Sequence, residues 1–179
     1  MGGGFRGSGR SFLARRGLLV NGRPVLRFLV PALAAIHFFL HLGLGIGRGA
    51  PDLLTVALLL AARELGMGGG GALGFLFGLL EDAFSVLAFG ANTLALTLVG
   101  ILGARTRLLW VGESLLFYFW YLTAGIWLRG LVHWIVSGES LREPFMNAVV
   151  VDGSLSALYG AAVGVVLMIP FAGEGRRRS

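Results

Sequence analysis

The sequence predicts an all-α membrane protein built as a bundle of six transmembrane helices. Three observations carry this. Of 179 residues, 56% are hydrophobic and only 13% are charged, against ~25% charged in a typical soluble domain. Apolar runs recur six times, most of them near the ~20 residues that span a bilayer. The fifteen basic residues, all of them Arg, concentrate in the tails and short connections. A water-soluble globule of this size would lack the polar groups to coat itself.

A Gly- and Arg-rich leader, 1–27, holds six Arg and no acid and reads as flexible and cytoplasmic. Its expected partners are anionic lipid headgroups or a cytoplasmic protein. The transmembrane domain occupies 28–172, and a basic cytoplasmic tail follows at 173–179. The first span is 28–46, nineteen residues without formal charge. The second runs from Pro51 to Met67, with Pro51 suited to a first helical position and Arg63 placed to snorkel. The third is 68–89, interrupted by Glu81 and Asp82. The fourth is 92–104, bounded by Arg105. The fifth is 108–128, with Glu113 near its inner end, where Arg105 or Arg107 can pair with it. The segment 129–143 follows as an outer connection, its apolar part 131–136 lying along the interface. The sixth is 146–169, stopped by Pro170.

With the N-terminus in the cytoplasm, twelve Arg fall inside. Only Arg48, Arg129 and Arg142 fall outside, as the positive-inside rule requires. An even number of spans keeps both basic tails on the cytoplasmic side. Trp110, Trp120, Trp127 and Trp134 fall near the expected headgroup levels.

Catalytic chemistry finds no foothold. The chain has no Cys and no Lys, which removes thiol nucleophiles, Cys-ligated metals, Schiff bases and the P-loop lysine. The stretch Gly43–Gly47 fails the dinucleotide pattern at Arg48 and Ala50. Neither Gly-Glu-Ser-Leu, at 112–115 and 138–141, closes with the Gly of a nucleophile elbow. His37 and His41 have the i, i+4 spacing of a metal pair, but interhelical hydrogen bonding accounts for them. No catalytic, cofactor or metal site is expected, and no nucleic-acid motif accompanies the positive charge.

Two groups of residues stand out. Gly66, Gly70, Gly74 and Gly78 form one small-residue row and Gly160 and Gly164 belong to another. Such rows let backbones approach, either within the subunit or against a partner's helix. Glu81 and Asp82 lie deep in span three. Asp82 is about 21 Å from its inner end, and Asp152 about 9 Å from the outer end of span six. One reading gathers Glu81, Asp82, Asn92 and Asp152 into an outer-leaflet polar cluster with Arg48, Arg129 or Arg142 as counter-charges. The other ends span three near residue 80 and leaves the acids wet.

The stretch PDLLTVALLLAARELG, followed by GALGFLFGLLEDAFSVLAFGANTLALTLVGILGARTR, resembles the central part of the rod shape-determining protein MreD family. The positions that carry the likeness are Pro51, Asp52, Arg63, Gly74, Phe75, Gly78, Leu79, Leu80, Asp82, Gly90, Asn92, Leu94, Gly100 and Arg105. The likeness covers 51–107, about a third of the chain. It implies a non-enzymatic scaffold in the bacterial inner membrane, part of the elongasome. Such a scaffold binds the single-span protein MreC and helps couple MreB filaments to the peptidoglycan synthases that set cell shape. That family is itself similar to the S components of energy-coupling-factor transporters. The likeness implies the same six-helix fold and, as the alternative function, vitamin binding.

Overall fold

The computed structural model describes residues 24–43, 50–85, 89–108, 114–138 and 142–172, and every regular element among them is helical. Most of the leader, Arg48, Trp110, Glu113 and the tail 173–179 lie outside these residues. Helix α1 covers Pro24–Phe38 and runs into a π-helical turn, Phe39–Gly43. Four of the residues assigned to the leader, 24–27, therefore belong to a helix. Helix α2 is Leu53–Ala83, α3 is Ala91–Arg105 and α4 is Leu115–Val136. A π-helical segment, Met146–Asp152, leads into α5, Gly153–Ala172.

Among the described residues, three helices are long and apolar enough to cross a membrane: Leu53–Ala83, Leu115–Val136 and Met146–Ile169. Two shorter apolar helices, Phe28–His41 and Ala91–Arg105, accompany them. The outside of the bundle carries Phe75, Leu76, Leu80, Leu94, Leu155, Val166 and Ile169, all exposed. Water would penalise such a surface, whereas hydrocarbon solvates it. The protein is accordingly a membrane protein.

Helix α2 contains a reversal. Gly66 adopts φ 75°, ψ −179°, a conformation that glycine reaches without a Cβ penalty. If α2 were straight, Asp52 and Glu81 would lie more than about 40 Å apart. Both instead bond Arg129. The arms 53–65 and 67–83 are therefore antiparallel, and they correspond to the runs expected at 51–67 and 68–89. No separate loop joins them.

The first arm is the centre of the bundle, with Leu53 to Ala62 all buried. The second arm packs on α3 through glycine. A Cβ on Gly70 would lie 2.6 Å from the Gly100 carbonyl oxygen, one on Gly74 would overlap the Leu96 carbonyl, and one on Gly78 would overlap Thr93 Cα. Gly160 and Gly164 face the side-chain ends of Ile126 and Leu122, each 2.9 Å from a built Cβ. Gly70, Gly74, Gly78, Gly160 and Gly164 are thus occupied within the chain. Of the two readings of these rows, packing within the subunit describes these contacts: the main chain of α3 and side chains of α4 lie against them. Gly66 is a reversal point and belongs to no packing row.

Two further expectations are corrected. Helix α4 begins and ends later than the span expected at 108–128, so 129–136, expected as connection, completes it. Pro170 does not stop α5, which continues to Ala172.

A candidate charge cluster and the cleft above it

Asp52 is the N-cap of α2. Its Oδ1 accepts the Thr55 N–H at 3.0 Å, leaving Oδ2 free to face inward. Glu81 sits in the last turn of the second arm, which the reversal returns to the level of Asp52. Asn92 stands in the first turn of α3, itself started by Gly90 at φ 94°. Arg129 reaches this meeting point from α4. Its Nη1 donates to Asp52 Oδ2 at 2.5 Å and to Thr55 Oγ1 at 3.3 Å. Its Nη2 donates to Glu81 Oε1 and Oε2 at 2.5 and 2.6 Å and to Asn92 Oδ1 at 3.3 Å.

All three charged side chains are largely enclosed: 13% of Arg129, 18% of Asp52 and 21% of Glu81 remains accessible. Ions removed from water need close partners, and the guanidinium fork serves two carboxylates at once.

His37 completes the cluster from α1. The Leu54 N–H donates to its Nδ1 at 3.3 Å, so a neutral ring carries its proton on Nε2. Nε2 faces Glu81 Oε1 at 3.8 Å. His41 stacks on His37 with ring centroids 4.1 Å apart. No group of three or more potential metal ligands occurs among the described residues.

Asp82 performs a separate task beside the cluster. Its Oδ2 accepts the Gly90 N–H, the Thr93 N–H and the Thr93 hydroxyl at 2.9, 2.9 and 2.6 Å. Its Oδ1 accepts the Asn92 N–H at 3.1 Å. It satisfies the open N–H groups at the start of α3 and neutralises that end of the helix dipole. Glu81 and Asn92 therefore meet at Arg129, and Asp82 adjoins them through the Asn92 main chain. Asp152 is exposed at the N-terminal end of the α5 unit. It bonds none of these residues, and it shares with Asp52, Asn92 and Arg129 the lining of a cleft between α4 and α5.

That cleft has a volume of about 750 Å³, with Arg129, His133 and Trp134 on one wall and Asp152, Ser156 and Tyr159 on the other. The Trp127 indole N–H donates to the Val149 carbonyl at 3.1 Å, tying the two walls together. Near the rim, Arg142 lies over the Trp134 ring at 5.1 Å. It also donates to the carbonyls of Ser137 and Ile135, which closes the end of α4.

The sequence pointed to Glu81, Asn92 and Arg129. It did not single out Asp52 or His37 for this site. The available signal was a Pro-Asp pair opening an apolar run, the pattern of an N-cap whose second oxygen is free.

Comparisons with family models, with curated proteins and with solved structures find no match to this chain.

Proposed function

We propose that the chain is a non-enzymatic scaffold of the MreD type. In this reading it is a six-span bundle of the bacterial inner membrane with both termini in the cytoplasm. It binds MreC and, directly or through it, couples MreB filaments to the peptidoglycan synthases. One observation carries the reading. Several of the positions through which the sequence resembles that family have a task in the packing here. Asp52 caps α2 and binds Arg129, Gly74 and Gly78 admit α3, and Asp82 caps α3 from across the connection. The likeness therefore rests in part on residues with a geometric task, beside exposed apolar ones such as Phe75, Leu80 and Leu94. With the Gly70–Gly78 row covered, a partner helix seats on another face of the bundle.

The cleft favours a second reading, the vitamin-binding S component of an energy-coupling-factor transporter. Its volume falls within the ~300–1,000 Å³ of small-molecule sites, and Arg129, Trp134 and Tyr159 supply the mixed lining such sites use. Purification in mild detergent separates the two. Co-isolation of a single-span periplasmic coiled-coil protein supports the scaffold. Co-isolation of a vitamin or an ATPase module rejects it in favour of the transporter.

A further inference from the structure

At the end of the bundle opposite Arg129, three other guanidinium groups converge on the reversal at Gly66. Arg63 lies over the rings of Phe117, Tyr118 and Tyr121, at 4.9, 5.0 and 5.7 Å from their centroids. Aromatic faces attract the cation but leave its in-plane N–H groups unspent. The Nη1 of Arg63 is indeed buried with no hydrogen-bond partner. Arg105 Nε reaches only the Met67 sulfur, at 3.4 Å, and thioether sulfur is a weak acceptor. Arg107 Nη1 reaches the Glu64 carbonyl at 3.4 Å, at the long limit of a hydrogen bond.

Among the described residues none of these three Arg is in an ion pair, whereas Arg129 is in two. Buried donors without acceptors are rare in folded proteins, and an absent ion is one of their recognised causes. We propose that the reversal tip binds a phosphate group. Half-buried Arg63 forms the back of the site, and exposed Arg105 and Arg107 form its rim. Phosphate fits because its several oxygens accept from guanidinium forks at different angles. Two sources offer that group at a membrane surface: the headgroup of an anionic phospholipid and a soluble phosphate compound. The inference requires the membrane location and neither of the two functions above, so it stands or falls separately from them.

The test uses the full chain, purified and stripped of lipid in nonionic detergent. Phosphatidylglycerol or phosphatidylcholine is added back, and retained lipid is counted by native mass spectrometry. A parallel titration with inorganic phosphate follows thermal unfolding. The expected result is a preference for phosphatidylglycerol of at least about tenfold, lost in Arg63→Gln/Arg105→Gln/Arg107→Gln. Displacement of the lipid by inorganic phosphate, or stabilisation by phosphate alone, keeps the site and assigns it to a soluble compound. Equal retention of both lipids with no response to phosphate overturns the proposal, as does undiminished binding in the triple variant. If the triple variant does not fold, Arg105→Gln/Arg107→Gln, which alters exposed side chains only, decides in its place.

Discussion

Between the second arm of α2 and α3, the closest atoms across the interface are main-chain atoms. Gly70 lies against Gly100, Gly74 against Leu96 and Gly78 against Thr93. Between α4 and α5, side-chain ends intervene. Leu122 and Ile126 meet Gly164 and Gly160, and further along the helices part into a cleft of about 750 Å³. The same residue type thus produces two kinds of contact. Where glycines face the partner's backbone, neither helix can yield and the fit is rigid. Where they face the tips of flexible side chains, the interface retains slack. In a bilayer, where lipid competes on equal terms for apolar surface, close main-chain approach is a principal source of helix affinity. Arg129 stands at the boundary of the two regions: it belongs to α4 but bonds residues of α2 and α3.

The largest effect is expected at that boundary. Arg129→Gln leaves Asp52 and Glu81 enclosed without their counter-charge, a change that costs about 3–5 kcal/mol when a buried pair is broken. Thermal unfolding in detergent should fall by roughly 6–20 °C, at ~2–4 °C per kcal/mol for a chain of this size. Adding Asp52→Asn and Glu81→Gln should restore most of the loss. If the triple variant is no more stable than Arg129→Gln, the cluster is not the link between the regions.

The next effect separates the two kinds of glycine contact directly. Gly74→Ala should destabilise by about 1–3 kcal/mol, because the added methyl meets a carbonyl that cannot move. Gly160→Ala should cost under about 1 kcal/mol, since Ile126 Cδ1 can turn aside and alanine favours the helix. Equal losses in the same unfolding assay would erase the distinction drawn above.

Asp82→Ala removes the acceptor for three N–H groups at the start of α3 and should cost about 1–2 kcal/mol, the upper range for a lost N-cap. Hydrogen exchange should then rise first in residues 90–93. The smallest effect belongs to the slack side. Asp152 is exposed, and Asp152→Asn should leave stability within ~0.5 kcal/mol of the parent.

The sequence made some of this legible and hid the rest for identifiable reasons. Helix α3, expected at 92–104 and found at Ala91–Arg105, is a clean apolar run between a left-handed glycine and an Arg. The glycine spacing at 70, 74 and 78 identified a close-packing face, but periodicity names a face and not its occupant. Arg129 was harder. Hydropathy treats a charge as the end of a span, which places the end of the run expected at 108–128 eight residues before the end of α4. An Arg with two carboxylates waiting for it can sit inside a helix, and those carboxylates lie 48 and 77 residues upstream. His37 was obscured in the same way, since its bond partner Leu54 is seventeen residues on. The spacing alone puts Gly66 in the same row as Gly70. Its reversal depends on a positive φ, which composition does not encode.

The distance along the chain between Arg129 and its acids also imposes an order on biosynthesis. The ribosome delivers Asp52 and Glu81 well before the cation that neutralises them. Glu81 precedes Arg129 by 48 residues, or about 2–10 s at ~5–20 residues per second. During that interval the two acids lack the partner that they share in the finished fold. The ion pairs that join α4 to the two arms can form only after Arg129 has been made.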